Sequence, residues 1–309
     1  GRGLILIADL GATNARFCIT EDGITYSNHV NYSISNYSSI IKLCESYITD
    51  NGLKGLTKGV IGVAAPVLGD KISFVNIDLT FSKRELEQTI FKDGLIVVND
   101  LELQAYALFN LQDENLKYIG NKKLSSGPKI LVAPGTGLGL AGVVKDCVVP
   151  TEAGHINISD KVLRPDLKKI VDRFVEDNSR VPTYEDFLSG KGISYFYSTL
   201  SGKLDSSLSS EDILANRSDL HCLNTINLLN YLFSSYLRYV TLVWGAQGGV
   251  LLSGSIVNSL LREEDFQEFR QTFEDSETMK NFMEAVPLAI LDLKDIGFEG
   301  GLELAKKLI

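Results

Sequence analysis

Two glycine-threonine turns, each set between apolar runs, constrain this chain more than its composition does. The first is Asp9-Leu10-Gly11-Ala12-Thr13-Asn14-Ala15-Arg16, and the second is Pro134-Gly135-Thr136-Gly137-Leu138-Gly139. Apolar residues 4–8 and 17–19 flank the first; residues 130–132 and 140–144 flank the second. The pattern predicts strand, tight turn, strand, with glycines letting backbone amides approach an anion. Taken singly, either loop also reads as an ordinary hairpin turn. The pair predicts a polyphosphate held from two sides, and hence a kinase or ATPase. Asp9 lies at a strand end, two residues before the glycine, where it suits Mg2+ held through water.

Several classes fall away. Gly135-Thr136-Gly137-Leu138-Gly139 is followed by a strand-like run rather than a helix, so it is not a dinucleotide fingerprint. No G-x-x-x-x-G-K-[ST] occurs, which removes the P-loop. A net charge of −9 spread along the 309 residues disfavours nucleic acid and anionic membrane. Cys18, Cys44, Cys147 and Cys222 are isolated in sequence and read as reduced, buried thiols of a cytoplasmic protein. The most apolar stretch, 237–257, is interrupted by Arg238, Gln247, glycines and serines, so it is not a membrane span.

Strands are expected at 4–8, 14–20 and 24–32, a helix at 37–49, and a strand at 59–65. Ser82 and Glu85 suggest a capping box. A strand at 95–98 and a helix at 101–109 follow, giving an α/β layer with a mixed sheet. A hairpin at 130–149 opens a second half that is mainly helical, with a core helix at 224–244. Residues 201–210 read as a surface loop. The expected division is 1–110 plus 295–309 as a small α/β domain and 111–294 as a large one, with a hinge near 100–111. No sequence repeat is evident, but the paired hairpins suggest related lobes.

Three polar groups stand out. Asp100, beside Asn99 at a strand end, reads either as a helix cap or as an acid in a ligand crevice. Glu152-Ala153-Gly154-His155 contains one of only three histidines and reads as a surface turn or as a ligand cluster. Glu185 alone reads as a first-turn helix glutamate. Carboxylates and an imidazole suit neutral, hydroxyl-rich ligands. A carboxylate beside one hydroxyl can orient it and take its proton during phosphoryl transfer.

These segments, with Ala65-Pro66, Gly69, Leu188-Ser189-Gly190 and Gly248-Gly249-Val250-Leu251-Leu252-Ser253-Gly254, occur in the order and spacing of one family. Over essentially its whole length the chain resembles the bacterial-type glucokinase family of the sugar kinase, Hsp70 and actin superfamily. The resemblance implies a two-lobed α/β, ribonuclease H-like fold with a hinge cleft. It implies ATP and Mg2+ as cofactors and transfer to the 6-hydroxyl of glucose. By the same resemblance, Asp9 would organise Mg2+, Gly11, Thr13 and Asn14 would contact the β- and γ-phosphates, and Gly135, Thr136 and Gly137 would form the second phosphate loop. Gly254 would lie in the adenosine motif. Asp100 would be the base, with Asn99 beside it, while Asn76, Glu152, His155 and Glu185 would hold the remaining sugar hydroxyls.

Four departures accompany the match. Ala12 and Ser255 stand where the family usually has glycine, Asn76-Ile77-Asp78 lacks a neighbouring aromatic, and 295–300 lacks the usual Asn-Pro-Gly pattern. No cysteine lies between Cys147 and Cys222, so the zinc motif of the repressor branch is missing. Alternatives are a kinase for another hexose and a non-catalytic sugar sensor. The expected partners are small molecules, without nucleic acid or membrane, and the oligomeric state is open, a homodimer being one option.

Overall fold

The structure is a computed structural model that describes residues 3–75, 77–159, 164–204 and 208–309. Asn76 and residues 205–207 of the polar 201–210 stretch lie outside the described residues. Two units separate, one comprising Gly1–Gln112 with Leu293–Ile309 and the other Asp113–Asp292.

The first unit contains β1 (Ile5–Leu10), β2 (Asn14–Thr20), β3 (Tyr26–Ser33), α1 (Ile40–Asp50), β4 (Lys58–Val63), β5 (Lys71–Ser73), β6 (Thr80–Ser82), α2 (Lys83–Thr89), β7 (Gly94–Asn99) and α3 (Asp100–Ala105). In the second unit come β8 (Leu116–Tyr118), β9 (Lys129–Pro134), β10 (Leu138–Val144), β11 (Cys147–Thr151), α4 (Pro165–Asn178), α5 (Tyr184–Phe187), α6 (Gly190–Ser201) and α7 (Ser210–Ala215). It continues with α8 (Leu220–Trp244), β12 (Gly249–Leu252), α9 (Val257–Leu260), α10 (Phe266–Glu274), α11 (Lys280–Ala285) and β13 (Leu288–Leu291). The last helix, α12 (Ile296–Ala305), belongs to the first unit.

Both units use one strand plan. The first sheet runs β3-β2-β1-β4-β7, and the second runs β11-β10-β9-β12-β13 with β8 added at the edge. In each, the first strand and its two successors form an antiparallel meander, and the next two strands join parallel. The resulting glycine hairpins occupy equivalent places, between β1 and β2 and between β9 and β10.

Alternation along β1 sets the layers of the first unit. Leu6, Ala8 and Leu10 pack with Leu43, Cys44 and Tyr47 of α1. Ile5 and Ile7 face the other way, onto Phe298, Leu302 and Ala305 of α12. Asp9 continues this second row by parity, so the strand delivers it to the α12 side. In the second unit, Leu228, Leu229, Leu232, Phe233, Tyr236 and Val240 of α8 are buried, as the periodicity predicts.

Several boundaries move. β1 runs on to Leu10, and α1 begins only at Ile40 because Ser39 caps it, its hydroxyl oxygen accepting from Lys42 N–H at 3.1 Å. The helix expected over 101–109 becomes 3-10 after Ala105, a change that i, i+3/i+4 apolar spacing does not resolve. Only half of the Ser82–Glu85 capping box forms: Ser82 Oγ accepts from Glu85 N–H, while Asp70, not Glu85, supplies the carboxylate, accepting from Arg84 N–H. α8 starts at Leu220 on an Asp219 cap, and Val243 is 68% exposed rather than in the core stripe. Cys147 is also exposed, at the start of β11, whereas the other three thiols are buried.

Candidate active site

The first hairpin is organised by charge. Register pairs Asp9 with Arg16 across β1 and β2. The Arg16 guanidinium donates to Asp9 and also to Asp295, 279 residues away in sequence. Asp295 is the N-cap of α12, accepting from Phe298 N–H at 3.1 Å, and the Phe298 ring lies 5.0 Å from the guanidinium. A side chain at Gly297 would place Cβ 2.5 Å from Asp9 Oδ2, so glycine there permits the approach of α12. Burial pushes the Asp9 carboxyl above the usual carboxylate range, Arg16 pulls it back, and Asp295 adds to the rise. Burial opposes charge on Arg16 too, but the two carboxylates outweigh it and hold the guanidinium above its ordinary value.

The turn itself is tied down by Gly11 N–H donating to Asn14 O at 2.9 Å and Ile34 N–H to Thr13 O at 3.0 Å. Leu10, Val63 and Asn99 share one register line across β1, β4 and β7. The Gly11 loop, Ala65-Pro66 and Asp100 therefore all leave one carboxyl edge of the parallel strands, where ligands of open α/β sheets bind. Asn99, not Asp100, caps α3: its Oδ1 accepts from Leu101 N–H at 3.0 Å, while its Nδ2 donates to Ala65 O at 3.2 Å. Asp100 is the first residue of the helix, and its Oδ1 also accepts from Leu101 N–H, at 2.9 Å. Asn76 lies outside the described residues.

In the second unit, three sequence-selected side chains meet beside the second loop. His155 Nε2 is 3.7 Å from Glu152 Oε2 and 3.6 Å from Glu185 Oε2. These separations exceed hydrogen-bond length, which leaves the imidazole and both carboxylates bonding capacity for a ligand. Glu152 precedes a 3-10 turn, Ala153–His155, whose last residue is His155, and Glu185 sits in the first turn of α5. Glu185 Oε1 accepts from Leu138 N–H at 2.9 Å, so the Glu152, His155 and Glu185 cluster touches the second glycine turn directly. Within that loop Gly135 N–H donates to Gly137 O at 2.8 Å. Gly254, just past β12, has φ of +109°, and a Cβ there would meet Pro134 O at 2.6 Å; both conditions require glycine.

Among the described residues no group of three His, Cys, Asp or Glu side chains could hold a metal. Mg2+ is commonly held by one or two carboxylates together with substrate phosphates. A single strand-end carboxylate, 13% exposed and next to a glycine turn, fits that division of ligands. The sequence marks Arg16 only as the end of the first glycine turn and Asp295 only as the start of a segment that departs from the family pattern, neither as a partner of Asp9. Arg16 was visible as the cross-strand neighbour of Asp9, whereas nothing local marks Asp295 as a partner.

A meander with two parallel additions, built twice and carrying a glycine hairpin each time, defines the sugar kinase, Hsp70 and actin-like fold class. The family profile described as Glucokinase matches residues 6–308. A glucokinase of Neisseria gonorrhoeae is 28% identical over 298 residues, covering 93% of this chain and 90% of its own. A glucokinase from an Antarctic psychrotroph superposes with a TM-score of 0.84 at 22% identity over 99% of both chains. A ROK-family glucokinase of Streptomyces griseus, solved with glucose and AMPPNP, gives 0.67 at 16% identity over 99% of this chain and 100% of its own. The chain belongs to the glucokinase family. Among the described residues no helix is long and apolar enough to cross a membrane.

Proposed function

We propose that the chain carries out its family's reaction, ATP-dependent phosphorylation of glucose at the 6-hydroxyl, with its two units taking different parts. The first unit supplies the base and the metal-facing acid. Asp100 orients the 6-hydroxyl and takes its proton, which needs position more than basicity because the transition state is loose. Asn99 holds that corner of the sheet. Gly11, Thr13 and Asn14 hold the β- and γ-phosphates, and Asp9 faces Mg2+ through water. The metal supplies charge neutralisation on the phosphates when bound.

The second unit reads the sugar and completes the phosphate contacts. Glu152, His155 and Glu185 accept from and donate to hydroxyls other than the reacting one, with Asn76 of the first unit assigned the same task. Gly135, Thr136 and Gly137 form the second phosphate loop, and Gly254 keeps the segment after β12 close enough for the adenosine. The observation that carries this reading is the Glu152, His155 and Glu185 cluster, built against a glycine hairpin of phosphate-binding form. The partners are thus glucose and Mg2+-ATP, in the cytoplasm; a homodimer is compatible with this reading.

A coupled assay with ATP and glucose, beside glucose titration without nucleotide, tests it. Turnover with glucose above other hexoses is expected. Sugar binding without turnover would return the chain to a sensor role, and preference for a different hexose would reassign the substrate.

A further inference from the structure

Glu185 is placed to do more than hold a hydroxyl. Its two carboxylate oxygens point to different tasks: Oε2 lies 3.6 Å from His155, while Oε1 accepts the Leu138 N–H at 2.9 Å. Leu138 closes the Gly135–Gly137 turn, because Pro134 pairs with it across β9 and β10. The other end of the turn is held by the same segment of chain, Gly190 N–H donating to Gly135 O at 3.0 Å. Residues 185–190 therefore grip the turn at both ends. The fit is close. A Cβ on Gly137 would lie 2.6 Å from Glu185 Oε1, and one on Gly154 would lie 2.2 Å from Leu138 O. The turn that bears His155 and the helix that bears Glu185 thus both pack on Leu138.

We infer that Glu185 is a positioning residue that couples the two substrates: a sugar hydroxyl on its carboxylate fixes the second phosphate loop in the form that receives nucleotide. The inference rests on the assignment of Glu185 to sugar and of residues 135–137 to phosphate. It adds a consequence that neither assignment carries alone. A carboxylate shared between a hydroxyl and a loop amide cannot move without moving both, so ordering it for one ligand prepares it for the other. Linkage makes the effect reciprocal, and glucose should tighten the nucleotide by the same factor as nucleotide tightens glucose. The phosphate-loop glycine at 137 follows from the same contact, since any side chain there displaces the carboxylate and not the backbone.

The test is calorimetric titration of Mg2+-AMPPNP with and without saturating glucose, and of glucose alone, on wild type, Glu185→Gln and Gly137→Ala. Wild type should bind the nucleotide about 5-fold or more tightly when glucose is present, the lower end of ordinary allosteric coupling. Glu185→Gln at saturating glucose should lose most of that factor. Gly137→Ala, a change in the nucleotide loop, should weaken glucose binding with no nucleotide present. That last readout would not move if the loop were only a phosphate holder. Absence of coupling in wild type, full coupling in Glu185→Gln, or unchanged glucose affinity in a folded Gly137→Ala protein would each overturn the inference. Should Gly137→Ala fail to fold, the Glu185→Gln coupling decides. Failure of the underlying assignment looks different: Glu185→Gln would then bind glucose as tightly as wild type.

Discussion

The two glycine hairpins occupy equivalent positions in one repeated strand plan, yet they are held by different forces. The first is held by charge: Arg16 lies between Asp9 and Asp295, whose side chains are 13% and 9% exposed. The second has no charged residue from Ile130 to Val144 and is held by hydrogen bonds and close contacts to Glu185, Gly190 and Gly154. On the proposed reading, the shared plan lets both turns receive phosphate. Under the proposed assignment, the first faces the metal and the second is wired to the sugar-reading cluster. On that proposal, a duplicated scaffold divides its labour through the residues that pack behind each loop.

Substitutions at the acids of the first unit should break this comparison most sharply. If Asp9 alone faces Mg2+, Asp9→Asn should lower kcat/KM for ATP by about 10²- to 10³-fold, the scale of removing a preorganised charge partner of the transition state. Thr136→Val in the second loop should cost only about 10-fold, the value of one hydrogen bond to a charged phosphate. Steady-state kinetics over a range of Mg2+ concentrations would decide, and equal losses with equal metal dependence would remove the asymmetry.

Asp100→Asn should lower kcat by about 10²-fold or more while glucose affinity and the melting transition stay near wild type. Because Asn99 makes the cap, removing the Asp100 charge leaves the α3 terminus intact. A near-normal kcat in a folded Asp100→Asn protein would take the base away from this position.

The second unit offers a graded test through substrate. If Glu152 accepts from the 2-hydroxyl, Glu152→Gln or the use of 2-deoxyglucose should each cost on the order of 10- to 100-fold in kcat/KM. Together they should cost less than the product, since both delete one interaction. Strictly multiplicative losses would move the hydroxyl contact off Glu152.

What could be read from sequence follows from range. Both hairpins were legible because glycine and flanking apolar runs act over a few residues, and the parity of Ile5, Ile7 and Asp9 is a local property of a strand. The Glu152–His155 turn was legible for its rare residue type. Its contact with Glu185 was not, because the two lie on separate elements joined only by the fold. Asp295 was the least visible as a partner: it is 279 residues from Arg16, and the expectation that 295–309 joins the first domain does not single out this acid. The choice between cap and ligand acid at Asp100 stayed open in the sequence because Asn and Asp are about equally good caps, and only backbone geometry puts the cap on Asn99.

The smallest effect concerns the support behind the second loop. Thr183 and Asp186 form a capping box at α5, and Arg180 donates to Asp186 at 2.7 and 2.8 Å. Unlike Arg16, Arg180 is exposed, at 53% of its side chain, so solvent and salt screen this pair. Burial opposes ionisation of Asp186, but the bonds from Arg180 and Thr183 outweigh it and hold the carboxyl below its ordinary value. A depressed folded pKa means that the stabilisation is fully present above the unfolded value of about 3.9 and is lost as pH falls through the folded value. Asp186→Asn should therefore cost about 1 kcal/mol at neutral pH, as a lost cap and a screened ion pair do. The gap between the two proteins should narrow as pH drops below about 4, where wild type also loses the charge. Denaturant melts at pH 7 and pH 3, at low and high salt, measure this directly. A cost of several kcal/mol that salt leaves unchanged would mean that the brace of the second loop is as deeply seated as the Arg16 clamp, and the contrast between the hairpins would have to rest on the metal alone.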